Sequence, residues 1–207
     1  MKQYNDYPAN IVRPYIVQSN TGAAFDYGFA DSFASFGFQP LISRGKGRSR
    51  GVELCVQKRL STTPYYGLLS LSISEVRFTA YDGIERPGAF DQRVILSILA
   101  GERPSEDWEI GMRFRFATGQ PYTPFDEKGD QDLSRIYSER FPPAHSLDLR
   151  VDRRWHFSSW NLSTYVDVQN VYNRRNQTYI NFNNATRKIE REELIGIIPT
   201  VGVIAEF

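Results

Sequence analysis

The feature that most constrains this chain is a strict two-residue alternation of apolar and polar side chains, clearest at residues 108–116 (WEIGMRFRF). Trp108, Ile110, Met112, Phe114 and Phe116 share one parity, and Glu109, Gly111, Arg113 and Arg115 share the other. Side chains along an extended strand point to opposite faces in turn, so this segment predicts a strand with one greasy side and one charged side. A helical period does not compete with it after residue 47.

The alternation recurs six more times. Val52, Leu54 and Val56 oppose Glu53, Cys55 and Gln57, and Leu69, Leu71 and Ile73 oppose Ser70, Ser72 and Ser74. Val94, Leu96, Ile98 and Ala100 oppose Arg93 and Ser97, although Ile95 and Leu99 blur that strand. Leu147, Leu149 and Val151 oppose Asp148, Arg150 and Asp152. Leu162, Thr164, Val166 and Val168 oppose Asn161, Ser163, Asp167 and Gln169, and Val201, Val203, Ala205 and Phe207 oppose Gly202 and Glu206. A soluble sandwich also alternates, so the pattern alone does not name the medium on the apolar side.

Connection lengths and aromatic positions add what alternation lacks. Short links near residues 61–64, 101–107 and 154–159 alternate with long ones, roughly 79–91, 117–145 and 173–198. Outer-membrane barrels combine short periplasmic turns with long extracellular loops in this way. Tyr65, Trp108, Trp155 and Trp160 carry the apolar parity beside the short turns, where an interfacial girdle belongs; Phe90, Phe116 and Tyr172 lie at the opposite ends. Turning residues 108–116 inside out would put Arg113 and Arg115 in lipid, at about 2–4 kcal/mol each near the midplane.

The expected fold is therefore all-β: an antiparallel transmembrane β-barrel, partial, with about seven or eight meandering strands of a larger barrel. Residues 47–207 are expected to carry the strands and residues 1–46 to form an extracellular loop or irregular segment. Within the latter, residues 11–17 (IVRPYIV, interrupted by Pro14) and the Gly/Ala/Ser/Phe-rich residues 22–38 make poor membrane strands. If Phe207 ends in the periplasm, the strand at 51–59 runs downward and an ascending strand should precede it. No export signal is visible after Met1, so the reading takes the chain as the later part of a longer protein.

Composition removes other classes. The net charge is +1, with 25 basic and 24 acidic residues, which gives no electrostatic footprint for nucleic acid. The basic run at residues 44–50 (RGKGRSR) is short and Gly/Ser-rich, and reads as a solvated loop. One cysteine, Cys55, and two histidines, His145 and His156, leave little for disulfides or metal chemistry. No stretch of about 18 apolar residues is present to form a transmembrane helix. His145, Ser146 and Asp148 invite a hydrolase triad, but His and Ser are adjacent and Asp148 is on the next polar-face position of a strand. Neither an enzyme nor a cofactor is expected.

Residues 45–58 (GKGRSRGVELCVQK), 90–93 (FDQR), 118–124 (TGQPYTP), 145–150 (HSLDLR), 160–173 (WNLSTYVDVQNVYN) and 199–207 (PTVGVIAEF) resemble, in order and spacing, the C-terminal barrel strands of TonB-dependent receptors. The resemblance covers about residues 40–207. It implies an outer-membrane barrel of about 22 strands around an N-terminal plug, importing siderophores, cobalamin or glycans with energy delivered through TonB. The plug and TonB-box segments are not in this sequence, so the TonB complex would be engaged only through other parts of the receptor. The resemblance also implies outer-membrane lipid as a partner, and the barrel-assembly machinery as the reader of an aromatic terminus, here Phe207 with Val203 and Ala205.

On the polar parity, Glu53, Arg113, Arg115, Asp148, Arg150, Asp152 and Asp167 are the candidates to face a lumen. A cross-strand pairing network is the more economical reading of them. Tyr122, Phe125, Tyr137 and Phe141 in one long loop, and Tyr179 and Phe182 in another, either grip a small-molecule or glycan ligand at the cell surface or pack the loops together. Two rival readings stay open: a self-contained small outer-membrane barrel, structural or adhesive, which needs an ascending strand within residues 1–46, and a soluble two-sheet binding module, which needs buried apolar faces.

Overall fold

The computed structural model describes residues 1–11, 14 and 41–207. Apart from Ile11 and Pro14, the weak candidate strands at 11–17 and 22–38 lie outside the described residues. The fold is all-β and antiparallel, and its one helical element among the described residues is a 3-10 turn at Leu133–Arg135. Among the described residues there are thirteen strands, eight of them in one meander: β1 (Lys2–Asn10), β2 (Leu41–Lys58), β3 (Tyr65–Thr79), β5 (Val94–Glu102), β6 (Trp108–Ala117), β9 (Ala144–His156), β10 (Asn161–Gln169) and β13 (Ile198–Glu206). A short β4 (Glu85–Pro87) lies alongside β3. Among the described residues the sheet does not close, and β1 and β13 are its two edges.

The seven alternating segments of the sequence become β2, β3, β5, β6, β9, β10 and β13, each paired with its neighbour in the chain's order. Their registers keep the apolar parity aligned across every ladder. Leu54 faces Leu71, Leu71 faces Leu96, Leu96 faces Phe116, Met112 faces Leu149, Val151 faces Val166, and Val166 faces Val201. A one-residue slip anywhere would move a whole strand's apolar set to the charged side, so the pattern itself fixes the register. The result is an apolar belt crossing seven strands.

That belt is uncovered. Val52 is 74% exposed and Val201 76%, with Leu54, Val56, Ile110, Met112, Leu149, Val151, Val166 and Val203 also open. Substantial contacts of each strand among the described residues are with its ladder neighbours, so no second sheet stacks on the belt as it would in a sandwich. What core there is sits at the end of the sheet that carries the long connections: Phe78, Ala80, Ile136 and Tyr137 cluster, with Phe78 and Tyr137 edge to face at 6.5 Å.

Tight turns at residues 59–64, 103–107 and 157–160 mark one end of the sheet, and long connections at 80–93, 118–143 and 170–197 mark the other. The latter two are not bare loops. Residues 118–143 contain β7 (Pro121–Tyr122) paired with β8 (Glu139–Arg140), and residues 170–197 contain the hairpin of β11 (Gln177–Asn183) and β12 (Lys188–Glu193).

The division at residue 46 differs from the sheet. Residues 1–46 were expected to be irregular, yet Lys2–Asn10 is a strand and β2 begins at Leu41. The basic run 44–50, read as a solvated loop, is strand too. Its small residues Gly45, Gly47 and Ser49 take partners in β1, and Arg48 and Arg50 reach Glu85 at 2.9 Å and Glu75 at 2.7 Å. β1 runs antiparallel to β2 but spans only from Lys2, opposite Ser49, to Asn10, opposite Leu41.

Candidate functional site: the polar face and its long-loop end

The strand registers gather most of the charged candidates on one face. Arg113 stands opposite Asp148 and Arg115 opposite Ser146. Asp148 is 4% exposed and holds Arg113 at 2.9 Å and, more loosely, Arg115 at 3.5 Å. Its other oxygen accepts the backbone N–H of Asn170 at 2.9 Å, which ties the middle of the sheet to the start of the last long loop. Asn170 and Asn173 both have positive φ (52° and 56°), a conformation Asn tolerates better than most residues.

Arg150 and Asp152 lie two residues apart on β9 and form a bidentate pair at 2.8 and 2.7 Å. The Arg150 guanidinium also lies 3.9 Å over the ring of Tyr165, and Asp167 is its register partner on β10. Glu53 is not part of this group: it sits on β2 opposite Ser72, separated from β6 by β3 and β5. Among these candidates Arg113 and Arg115 pair across strands with Asp148, whereas Arg150 and Asp152 pair within β9.

A second hub went unread in the sequence. Glu109 accepts the Tyr66 hydroxyl at 2.6 Å and pairs with Arg103 at 2.8 Å and Arg154 at 3.2 Å. Tyr66 crosses Gly101 to reach it, and a Cβ on Gly101 would come within 2.2 Å of the ring. The signal was present in the two glycines of like parity, Gly101 and Gly111, beside a tyrosine one strand away.

The expected girdle residues Tyr65, Trp108, Trp155 and Trp160 all lie at the short-turn end. Arg153, on the apolar parity, stands between two of them, 3.5 Å from the Trp155 ring centre and 5.1 Å from that of Trp108. Trp160 stacks with Phe157 at 4.5 Å and with the 99% exposed Phe207 at 5.8 Å. Val203 and Ala205 face Thr164 and Leu162 on the same side. At the far end His145 stacks on Phe116 and bonds to the Tyr172 hydroxyl at 2.7 Å, while Phe90 is open. His145 therefore faces away from Ser146 and Asp148, so no triad is assembled.

The six loop aromatics are largely engaged with the protein. Tyr122 packs on Phe141 at 4.6 Å, Phe125 on Phe182 at 6.1 Å, and Tyr137 is buried on Phe78. Phe125 and Phe182 join the two longest connections, with Arg187 adding a bond to the Glu127 carbonyl at 3.3 Å. Burial pushes the phenol of Tyr179 up, with Glu192 adding to the shift, and burial likewise raises that of Tyr172. A further lock was missed: Asp91, 1% exposed, accepts the Val76 N–H at 2.7 Å and pairs with Arg140, whose guanidinium also bonds the Asp91 and Gly119 carbonyls at 2.6 and 3.1 Å.

Between the polar face and the last loop lies an open groove of ≈ 570 Å³. Among the described residues no three His, Cys, Asp or Glu side chains are grouped to hold a metal ion, and no helix is long and apolar enough to cross a membrane, which leaves strands unaddressed. Compared with protein-family models and with curated proteins, the chain matches none.

Proposed function

We propose that this chain is the C-terminal barrel segment of a TonB-dependent outer-membrane receptor that imports a siderophore, cobalamin or glycan. On this reading it supplies wall strands and three long extracellular loops, and its work is binding and passage rather than catalysis. The observation that carries the reading is the uncovered apolar belt. Four of its strands, β5, β6, β10 and β13, are 9 or 10 residues long, the length a tilted strand needs to cross about 30 Å of hydrocarbon. Left in water, each Val, Leu, Ile, Phe or Met of the belt would forgo about 1.5–3 kcal/mol of burial. Aromatic side chains bound the belt at both margins, as in outer-membrane barrels.

The opposite face fits a watery lumen, because its arginines, though paired with more deeply set carboxylates, are themselves nearly half exposed. The long-loop end is then extracellular and the tight turns periplasmic. A self-contained eight-stranded barrel fits less well. β1 supplies an eighth strand, but it meets β2 only at residues 41–49, above the belt rows at Val52, Leu54 and Val56. That leaves the outer edge of β2 at residues 51–58, and that of β13, needing partners in lipid, where each unpaired backbone group costs several kcal/mol. Strands from the rest of a receptor barrel would supply them.

The test is to raise antibodies to residues 126–135 and probe fractionated source cells. The reading expects a heat-modifiable band in the outer membrane, far larger than the 23.9 kDa of this chain. A band in the soluble fraction would rule the reading out, and one of about this chain's own mass in the outer membrane would return it to the small barrel.

A further inference from the structure

Ile95 is, with Leu99, one of the two residues that blurred the alternation of β5, an aliphatic side chain on the face that carries most of the charges and hydroxyls. In the fold it is one wall of the groove at the long-loop end. Ile198 at the start of β13, and Leu194 and Ile195 just before it, line it from the other side of the chain's order, with Leu96 and Phe116 also at its margin. Leu194 is held in place by Asn176, which pairs with the backbone of His145 through both its amide oxygen and its amide nitrogen at 3.0 Å while its own carbonyl accepts the Leu194 N–H at 2.8 Å. Asn173 then accepts the Ile197 N–H at 3.0 Å.

The floor of the groove carries one cation and one carboxylate, Arg115 and Asp148. These charges do not cancel. Asp148 already takes two bonds from Arg113, at 2.9 and 3.0 Å, and one from the Asn170 N–H, leaving Arg115 as the distant partner at 3.5 Å. One carboxylate thus serves two guanidiniums, and Arg115 holds the weaker share of it. The neighbours opposite Arg115 are Ser97 and Ser146, short side chains that leave its guanidinium 54% exposed.

We infer that this groove binds a small organic carboxylate with an apolar body, the carboxylate on Arg115 and the body against Ile95, Leu194, Ile195 and Ile198. At ≈ 570 Å³ the groove is of ligand size, within the roughly 300–1,000 Å³ typical of small-molecule sites. The guanidinium fork offers two parallel donors to a carboxylate, which a neutral isostere cannot use. As a capture site for transported ligand this rests on the proposed function; the binding itself needs only the folded sheet.

The test uses the full chain folded in zwitterionic phospholipid vesicles, with 4-phenylbutyrate as probe, 4-phenylbutanol as its neutral isostere and acetate as the headgroup alone, measured by calorimetry against protein-free vesicles. The carboxylate should bind and the other two should be at least about tenfold weaker, the worth of one charge-assisted hydrogen bond. Arg115→Gln should lose about tenfold for phenylbutyrate only, Arg115→Lys, which keeps the charge but not the fork, should fall between the parent and Arg115→Gln, and Ile195→Asn should weaken acid and alcohol alike. Equal binding of acid and alcohol, no binding by the folded chain, or an Arg115→Gln chain that binds phenylbutyrate undiminished would each overturn the inference. Tryptophan quenching by brominated lipid in the same samples reports insertion separately, so a folded chain that binds without inserting would count against the receptor reading alone.

Discussion

The guanidinium of Arg153 lies 3.5 Å from the ring centre of Trp155, two residues on along β9, and 5.1 Å from that of Trp108, its register partner on β6. The strand's apolar parity runs Leu147, Leu149, Val151 and then, at the short-turn end, changes to a cation and an indole. That change is what a bilayer margin asks for: a ring for the interface and a charge that reaches the headgroups. Arg153→Ala should destabilise the folded chain by about 0.5–1 kcal/mol, the range for an exposed cation–π contact. Urea unfolding in vesicles, followed by tryptophan emission, measures this, and Arg153→Lys should recover part of the loss.

Asp148 is the one carboxylate shared by Arg113, Arg115 and the Asn170 N–H. Asp148→Ala should cost about 2 kcal/mol, in the range for hydrogen bonds to a charged group, with both arginines half exposed and so partly screened. Asp148→Asn should keep the Asn170 bond and cost less. Denaturant midpoints of the two variants, compared under one set of lipid conditions, decide the order.

Arg140 locks residues 118–143 to the 80–93 connection through Asp91. Removing it should open these loops without unfolding the sheet, since none of the eight meander strands depends on it for pairing. In Arg140→Ala, limited proteolysis should cut first within residues 118–143, and hydrogen exchange in β6 and β9 should stay as in the parent. Loss of protection in β6 would mean that the loops and sheet unfold together.

Asp126 closes a turn in that same loop. The backbone N–H groups of Asp130, Lys128 and Gly129 hold its carboxyl below the ordinary 3.8, with Lys128 adding charge. A depressed folded value means that the carboxylate's contribution is complete above about pH 4, the unfolded value, and is lost as pH falls through the lower folded one. The Asp130 amide resonance should therefore be constant at and above that pH and titrate only below it. Asp126→Asn should abolish the titration.

The strands and their faces were legible because period two is unambiguous over residues 108–116 and is repeated with one strand blurred, at Ile95 and Leu99. β1 and the first half of β2 were not. KQYNDYPAN and RGKGRSR lack apolar alternation, and their pairing rests on small residues in the strand and on Arg48 and Arg50 reaching carboxylates of other elements. Individual charge partners needed the register between strands, which no local pattern gives. Arg113 and Asp148 are 35 residues apart, and Asp91 and Arg140 are 49 apart across two connections. The groove was hidden for a related reason, since Ile95 reads as noise until Ile198 and Leu194 stand beside it.

The most direct measurement of the central claim, that one face of the sheet meets lipid and the other water, is a nitroxide scan along residues 109–115 of β6. The exposed lone cysteine, Cys55, makes this simple once replaced by serine. In vesicles, dissolved oxygen should collide most with labels at 110, 112 and 114, and a water-soluble nickel complex most with those at 109, 111, 113 and 115, in strict alternation. A nickel complex that reaches both parities equally would contradict the claim and leave an exposed sheet in water.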